Sequence, residues 1–582
     1  MIKARTREEP SDMHNPTANA GQEPVAVTLA ASLKRHGVEV LFGQSLPSAL
    51  HLAAPDFGML QVNYRTENAG GVMADGYARI GGRIGVVTAQ NGPAATLLVA
   101  PMAEALKASV PLLAVVQEVN RDQTDRNAFQ EFDHFALFSS CTKWVRRIDV
   151  ASRVEDYVDM AIVAATTGRP GPVALLCPAD LLNETQRLAE VRTNAYGGFP
   201  LDRVGPDPAR IAEAAALLAA AENPIVIAGG GVHLSQATTE LATLQDKAAL
   251  PVGTTNMGKG SVDETHELSL GVLANALGTN SPARPMKELL ERADVVLLVG
   301  TRTNQNGTDS WKLYPRGAKF IHLDIDGMEV GRNYEAHRLV GDARLGLAAL
   351  TEALENTGLA KRHAARAALV RDIGERRAAG RREAGAVTAT ATAPLRPEFL
   401  MAKLDEVLGP DDIVAADASY SSLWVLNFLT ARRAGQRFLT PRGIAGLGWG
   451  LPLALGAKVG APDRRVVAVV GDGGFAHCWQ ELETARRMGL PVTVIVLNNG
   501  ILGFQKHAEL VKFGAHTGAI GFAPVDHAAI ARATGCNGVR VETADGFVAA
   551  LREALDADVA TVLDVVTSAD AYPPISVFEN KL

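Results

Sequence analysis

The sequence of 582 residues predicts an α/β protein built from three doubly wound domains with parallel sheets. Short apolar, β-branched runs alternate with Ala-rich segments of helical period, which is typical of parallel strands flanked by helices. Two segments that are irregular or of low complexity, residues 184–208 and 386–394, divide the chain into three such runs. The length also agrees with several domains of about 150 residues each.

The composition argues against several classes of protein. Hydrophobic residues make up 47% of the chain and charged residues 21%, so the chain can bury large cores. Lys and Arg number 57 against 64 for Asp and Glu, and the net charge of −7 argues against nucleic acid as the main partner. No apolar run approaches the ~20 residues that span a bilayer, so no membrane segment is expected. The 4 cysteines form no CxxC pair, which favours a reducing cytoplasm.

The predicted domains have the following bounds. A polar tail, residues 1–24, is expected to be disordered and precedes the first domain, residues 25–190. The central domain is predicted over residues 205–355, and the third over residues 394–582. Residues 361–382, between the last two domains, are strongly charged and of helical character. The first and third domains are similar in size and strand pattern.

Buried strands are predicted where short β-branched runs end in Gly, Thr, Asp or similar residues. In the first domain these runs are residues 85–88, 112–117 and 173–177, separated by helical stretches such as residues 69–78. In the central domain they are residues 224–228, 295–299 and 319–324. In the third domain they are residues 413–416, 466–470, 492–497 and 561–566.

The sharpest motif follows two neighbouring strands of the third domain. Asp472 and Asn499 come just after buried runs, and the carboxyl ends of adjacent parallel strands meet at one edge of a sheet. A carboxylate, an amide oxygen and a loop carbonyl, completed by phosphate oxygens and water, suit Mg²⁺. Each piece alone is also an ordinary turn or helix cap, but the spacing favours a site for a cation and a diphosphate. Phosphates could approach the backbone at the glycines around the carboxylate, Gly471, Gly473 and Gly474.

This motif, GDG followed by NN, resembles the signature of the thiamine diphosphate (ThDP) enzyme family. The resemblance implies that Asp472, Asn499 and the main-chain carbonyl of Ile501 bind Mg²⁺, which anchors the diphosphate of ThDP. It also implies a diphosphate-contacting loop, for which family members usually carry Gly-Gln-His. In this chain the loop is formed by Ser419, Tyr420 and Ser421.

A second segment, residues 65–79, resembles the family's RHEQ…MADGYAR sequence and places Glu67 at the catalytic position. There a glutamate binds N1′ of the aminopyrimidine and favours the imino tautomer that deprotonates thiazolium C2. The ordinary alternative is a glutamate at a helix N-terminus, which stabilises the helix dipole by under about 1 kcal/mol.

Three further residues follow from the same resemblance. Leu447 matches the apolar prop that bends the cofactor, and the carbonyl of Ala445 and the amide of Leu447 would contact the pyrimidine edge. Gln130 matches a glutamine beside the thiazolium. Leu447 could alternatively be a core leucine in a Gly-rich turn, and Gln130 a side chain that braces a loop.

Within the family, residues 25–566 are most similar to the acetolactate synthase type. The central domain resembles that group's FAD-binding domain, in which FAD is structural rather than redox-active. Arg302 and Asp324 would then contact FAD, although the surrounding Gly-rich and Asp-rich segments are also typical of ordinary strand ends. Histidines near the motifs are candidates for proton relay or for structural hydrogen bonds: His51, His477 and His507.

Departures from acetolactate synthase cluster around the expected substrate. Residues 41–47 replace the FGxPG loop, Thr66 replaces a histidine, Ala179 replaces a lysine, and residues 502–508 lack the usual tryptophan. Residues 303–306 also differ from the family's FDDR-like stretch. The cofactor chemistry therefore looks intact, while the identity of the substrate stays open.

The resulting hypothesis is a ThDP- and Mg²⁺-dependent decarboxylase or carboligase acting on a 2-oxo acid such as pyruvate, or on a dicarbonyl compound. ThDP would supply the electron sink for loss of CO₂ or for cleavage of an adjacent C–C bond. Alternatives are a hydrolase of 1,2-diketones, an enzyme like sulfoacetaldehyde acetyltransferase, and a catalytically silent ThDP-binding protein. The resemblance also implies a homodimer at least, and a homotetramer as the expected assembly, because the two ThDP domains meet across a subunit interface.

Overall fold

The structure, a computed structural model, describes residues 22–187 and 192–579. These residues form three domains, each with a six-stranded parallel sheet flanked by helices, which confirms the predicted fold class. The predicted disordered tail falls mainly on residues 1–21, which lie outside the described residues, whereas residues 22–24 form a short strand. Within the described ranges, no helix has both the length and the apolar character needed to cross a membrane.

The N-terminal domain alternates strands with helices. Its elements are β1 (Gln22–Pro24), α1 (Val25–Arg35), β2 (Val40–Phe42), α2 (Ser48–Ala53), β3 (Leu60–Val62), α3 (Glu67–Gly81), β4 (Gly85–Ala89), α4 (Pro93–Leu97), α5 (Val99–Ala108), β5 (Leu112–Glu118), α6 (His134–Ser139), β6 (Trp144–Arg147), α7 (Val154–Thr166), β7 (Val173–Pro178), α8 (Ala179–Asn183) and β8 (Thr185–Arg187). The parallel sheet has the order β3-β2-β4-β5-β7-β6, and β1 pairs antiparallel with β8. The runs predicted at residues 85–88, 112–117 and 173–177 are β4, β5 and β7.

The central domain begins with α9. Its elements are α9 (Pro208–Ala220), β9 (Pro224–Ala228), α10 (Gly231–Leu234), α11 (Thr238–Lys247), β10 (Val252–Thr254), β11 (Ser269–Val272), α12 (Lys287–Glu291), β12 (Val295–Val299), β13 (Lys319–Asp324), β14 (Ala336–Val340), α13 (Ala343–Thr357) and α14 (Ala360–Thr388). Its sheet order is β11-β10-β9-β12-β13-β14. The winding reverses between β9 and β12, and such a switch point is where doubly wound sheets bind ligands.

The charged stretch of residues 361–382 lies in α14, a helix of 29 residues. Arg366 of this helix forms ion pairs with Asp246 (2.7 Å) and Glu267 (2.8 Å). The helix is therefore anchored along the central domain.

The C-terminal domain carries the sharpest motif. Its elements are α15 (Pro397–Val407), β15 (Ile413–Ala416), α16 (Tyr420–Phe428), β16 (Phe438–Leu439), α17 (Gly450–Gly460), β17 (Val466–Gly471), α18 (Asp472–Phe475), α19 (Glu481–Met488), β18 (Thr493–Asn498), α20 (Gly503–Phe513), α21 (His527–Ala533), β19 (Asn537–Val541), α22 (Ala544–Leu555) and β20 (Thr561–Val566). The sheet order is β16-β15-β17-β18-β20-β19. The winding reverses between β15 and β17, and the motif residues follow β17 and its neighbour β18.

The N-terminal and C-terminal sheets have the same topology. If β2–β7 and β15–β20 are each numbered 1 to 6, both sheets have the order 2-1-3-4-6-5. Helices α3 and α17 both follow strand 2 in this numbering and precede strand 3. The two domains are therefore topological equivalents within one chain.

Helices α3 and α17 pack directly against each other at glycines. A Cβ on Gly456 would lie 1.9 Å from the carbonyl oxygen of Met73, and one on Gly76 would lie 2.4 Å from that of Leu453. Only glycine permits this approach of backbone to backbone. One hydrophobic core is continuous across both domains at this contact.

Candidate active site

Asp472 is the centre of the candidate cation site. It follows β17 and is buried, and its carboxylate accepts hydrogen bonds from the backbone N–H groups of Gly473 (2.9 Å) and Gly500 (2.7 Å). Burial raises the pKa of this carboxyl group. Among the residues that the structure describes, no Lys, Arg or His nitrogen forms an ion pair with Asp472. A buried carboxylate that has no ion-pair partner among these residues fits a metal ion.

The two asparagines after β18 have different environments. The Nδ2 group of Asn498 donates to Oδ1 of Asp564 (2.8 Å), so this side chain braces the domain interior. Asn499 lines the cleft that contains Asp472, and its Oδ1 accepts a hydrogen bond from the N–H of Ile501 (3.1 Å). An amide oxygen has a second lone pair, which stays free for a cation.

A cleft opens between the loops that follow β15, β17 and β18. It brings together all the predicted cation ligands and most of the predicted cofactor contacts, namely Asp472, Asn499, Ile501, Ser419, Tyr420, Ser421, Leu447, Gly471, Gly473 and Gly474. Ala445, Glu67 and Gln130 are not among the lining residues. The lining residues all come from the C-terminal domain, and they lie at its topological switch point.

The loop after β15 is fixed by a buried acid. Asp417 accepts hydrogen bonds from the N–H groups of Ala418 (2.8 Å), Gly448 (3.0 Å) and Trp449 (3.0 Å). Ser419 has φ of 66°, a left-handed conformation that favours glycine, and such strain is concentrated at functional sites. The loop is therefore held in a specific, strained shape at the mouth of the cleft.

Tyr420 lies at the start of α16 and contacts α20. Its hydroxyl and Nδ1 of His507 are 2.7 Å apart, and both side chains are buried. Burial lowers the pKa of His507 to about 4, so the neutral ring accepts the hydrogen bond from Tyr420. We assign His507 a structural role on this contact. His51 is similarly bonded to Gln61 (2.9 Å) and Thr88 (2.8 Å) within the N-terminal domain.

Leu447 projects from an irregular loop before α17. Its side chain is 40% exposed, which excludes the alternative of a core leucine. Ala445 has φ of 61°, and Gly448, just after Leu447, has φ of 82°. The loop thus presents an apolar side chain to the cleft between two residues of left-handed conformation.

Glu67 is the first residue of α3. Thr66, which stands where the family has histidine, caps the helix by accepting a hydrogen bond from the N–H of Ala69 (3.3 Å). The carboxylate of Glu67 is partly exposed and does not line the cleft that contains Asp472. The structure therefore does not place Glu67 in the wall of that cleft in its own chain.

Gln130 lies in a loop between β5 and α6 with φ of 61°. Its Oε1 accepts a hydrogen bond from Nε2 of Gln90 (2.8 Å), and Asn91 donates to its carbonyl oxygen (3.1 Å). The neighbouring side chains of Phe129 and Phe132 are 83% and 52% exposed. This loop therefore presents an apolar surface beside a polar amide.

A second cleft lies at the switch point of the central sheet. Its walls include Arg302 and Asp324, the two residues predicted to contact FAD. Burial raises the pKa of Asp324 to about 6 and lowers the pKa of Arg302. The nearby Gly231 and Gly300 pack on each other, because a Cβ on either would lie 2.7 Å from the other's Cα. At Gly231 and Gly300, glycine is therefore required for close packing of the backbone.

Two buried acids were missed by the sequence analysis. Glu104 on α5 and Glu481 on α19 are 3% and 0% exposed, and each accepts hydrogen bonds from backbone N–H groups of the other terminal domain. The available signal was an acid between apolar residues, as at Glu104. The partners of Glu104 are 339 to 341 residues away, and no local pattern could indicate them.

Comparison with known proteins identifies the class. Models of the thiamine pyrophosphate enzyme N-terminal domain, central domain and C-terminal domain match residues 24–137, 211–350 and 417–565. The chain belongs to the thiamine diphosphate enzyme family.

Within this family the chain is similar to large subunits of acetolactate synthase. It is 31% identical to the "Probable acetolactate synthase large subunit" of Methanococcus aeolicus, over 93% of this chain and 91% of that protein. It is 31% identical to the large subunit of Corynebacterium glutamicum, over 95% of this chain and 88% of that protein. It is 30% identical to the "Acetolactate synthase" of Mycobacterium bovis, over 94% of this chain and 88% of that protein. The chain is thus an acetolactate synthase-like, ThDP-dependent enzyme.

Proposed function

We propose that the protein is a Mg²⁺-dependent carboligase or decarboxylase that uses ThDP to act on a 2-oxo acid, with pyruvate as the first candidate. The single observation that carries this proposal is the buried carboxylate of Asp472, which has no ion-pair partner among the described residues and lies beside Asn499 at a topological switch point. Asp472, Asn499 and the carbonyl of Ile501 would hold Mg²⁺, and the loops at residues 419–421 and 471–474 would hold the diphosphate. ThDP, when bound, supplies an electron sink for cleavage of the bond next to a carbonyl.

The chain's own residues would orient and activate this cofactor. Glu67 would bind the aminopyrimidine and exchange a proton with its ring nitrogen, and Ala445 would accept a hydrogen bond from its edge. Leu447 would fill the space between the rings, which its exposed position in the cleft supports. Gln130 would present its amide N–H group to the substrate, because Gln90 occupies its oxygen.

We propose that the active site is completed by a second copy of the chain. Glu67 lies outside the cleft of its own chain, and the cleft walls come from the C-terminal domain only. A homodimer in which the partner's N-terminal domain covers this cleft would bring a second Glu67 to the cofactor. Exposed apolar side chains near Gln130 support such an interface. A homotetramer would be a pair of such dimers.

The central cleft is proposed as a site for FAD or ADP. It lies at the switch point between β9 and β12, and its walls combine glycines, an arginine and a buried acid. Arg302 suits a phosphate, and Asp324 suits a ribose hydroxyl or a ring N–H.

A reducing cytoplasm is proposed for the protein because its four cysteines are all buried and carry no disulfide.

The decisive experiment follows pyruvate by proton NMR in the presence of the protein, ThDP and Mg²⁺. Acetolactate or its breakdown product acetoin is the expected product, and omission of ThDP should abolish it. If the protein binds ThDP but leaves pyruvate unchanged, the pyruvate assignment fails. The same assay with a 1,2-diketone, or with sulfoacetaldehyde and phosphate, then tests the two other activities that the altered loops at residues 41–47 and 502–508 leave open.

A further inference from the structure

Two buried carboxylates link the N-terminal and C-terminal domains in a reciprocal way. Glu104 of the N-terminal domain accepts hydrogen bonds from three consecutive backbone N–H groups of the C-terminal domain. The donors are Gly443 (2.7 Å), Ile444 (2.6 Å) and Ala445 (3.1 Å). Glu481 of the C-terminal domain accepts them from two N–H groups of the N-terminal domain, those of Arg65 and Thr66 (both 3.1 Å).

The two contacts are topological equivalents. Each carboxylate lies on a helix between strands 3 and 4 of its own sheet, α5 in one domain and α19 in the other. Each binds the segment that leads into the helix following strand 2 of the other sheet, α17 or α3. A local two-fold axis that relates the two domains would produce such a pair of equivalent contacts. The contacts are therefore a built feature of the domain pairing.

Both segments carry residues with proposed roles at the aminopyrimidine. Glu67 follows directly on Thr66, and Leu447 lies two residues after Ala445. The segment before α17 has few packing contacts that could fix it, because Ile444 and Leu447 are 48% and 40% exposed. Its far end is held by Asp417 at Gly448, so the segment is fixed at both ends with Leu447 between them.

The chemistry of these contacts suits rigid positioning. Hydrogen bonds from N–H groups to an ionised carboxylate are stronger than neutral ones, and both carboxylates are shielded from water. Glu104 is further balanced by Arg79, whose Nη2 lies 3.8 Å away, and Glu481 accepts a hydrogen bond from Thr484 (2.8 Å). Gly443 lets its segment lie on α5, since a Cβ there would be 2.5 Å from the carbonyl oxygen of Glu104.

The geometry points to Glu104 and Glu481 as reciprocal positioning residues: each domain uses one buried carboxylate to fix the segment of the other that acts on the aminopyrimidine of ThDP. This inference rests on the proposed function. It adds two residues that touch neither cofactor nor substrate and act through the backbone of residues 443–445 and 65–66.

The test separates binding of ThDP from its activation. Wild-type protein, Glu104→Gln and Glu481→Gln are saturated with ThDP and Mg²⁺. The rate of H/D exchange at C2 of the bound cofactor is then measured by quenched-flow proton NMR. Both variants should exchange on the order of 10- to 100-fold more slowly, because small displacements of activating groups have effects of that size. Their affinity for ThDP should change less than about threefold, because the diphosphate site at Asp472 is untouched.

Matched controls lie on the same two helices. Lys107→Ala on α5 and Arg486→Ala on α19 change exposed side chains and should leave the exchange rate unchanged. Glu104→Asp and Glu481→Asp retain the charge but shorten the reach by one methylene group. They should also exchange C2 more slowly than wild-type protein, because the shorter side chain no longer reaches the backbone N–H groups of the other domain.

Three outcomes are distinguishable. Slow exchange at full ThDP occupancy in folded Gln or Asp variants supports the inference. Wild-type exchange rates in the variants at saturating ThDP, or failure of all four variants to fold, would overturn it, because the carboxylates would then be dispensable or serve stability alone. If wild-type protein itself neither binds ThDP nor exchanges C2, the proposed function fails instead.

Discussion

Replacement of Gly456 by alanine should separate helices α3 and α17. The new Cβ would lie 1.9 Å from the carbonyl oxygen of Met73, whereas ordinary contacts begin at 3.4 Å, so the helices must part by 3.4 − 1.9 = 1.5 Å. The obstacle is a backbone atom, which no change of rotamer can move. Overpacking of this kind costs about 3 kcal/mol. The higher helix propensity of alanine offsets about 1 kcal/mol of this cost. The expected net loss of unfolding free energy is about 2 kcal/mol.

The same displacement should reduce activity, because α3 begins with Glu67 and α17 follows Leu447. A shift of about 1 Å in such groups costs on the order of 100-fold in rate. Stability is measured by urea unfolding, followed through the combined fluorescence of the 5 tryptophans, and activity is measured by turnover of pyruvate.

Gly374→Ala is the matched control. This glycine lies in the exposed part of α14, and a Cβ there would have no atom within 4 Å. It should leave turnover unchanged and raise stability slightly, by up to about 1 kcal/mol. The reasoning would be refuted if Gly456→Ala unfolded at the wild-type urea midpoint or above it and retained full turnover.

Three further predictions concern charge and protonation. Asp472→Asn should weaken Mg²⁺-dependent binding of ThDP by at least about tenfold, measured by calorimetric titration; unchanged affinity would remove Asp472 from the site. Glu67→Gln should retain ThDP binding and lose about 10²- to 10⁴-fold in turnover; a near-wild-type rate would contradict its role. Burial lowers the pKa of His233 to about 3 and of His322 and His507 to about 4, against 6.5 for free histidine. At these three histidines the unfolded chain therefore binds more protons below pH 6.5, and their effect exceeds the opposite effect of two buried acids, Asp75 and Asp324, whose pKa burial raises to about 6. The urea midpoint should fall as the pH is lowered from 6.5 to 4, and a flat profile would refute this.

Much of the fold was predictable because the strands are encoded locally. The runs predicted at residues 224–228, 295–299 and 413–416 coincide with β9, β12 and β15. Each is a continuous apolar segment, as a strand buried on both faces requires. Short strands such as β2, β3 and β16 were not predicted, since two or three residues carry too little pattern.

The candidate cation site was predictable for a related reason. Asp472 and Asn499 each follow a recognisable strand, and adjacent parallel strands place their carboxyl ends together. The different environments of Asn498 and Asn499 were not predictable, because they depend on Asp564, which belongs to another strand.

The sequence by itself determined the fold class, the family and the residues offered for the cofactor, since all of these are carried by local patterns and short motifs. Tertiary structure alone decided that Glu67 lies outside its own chain's cleft and that Leu447 is exposed rather than buried. It also decided that Glu104 and Glu481 hold the opposite domain. The partners of these acids lie more than 300 residues away, and such pairings arise only when whole domains pack together.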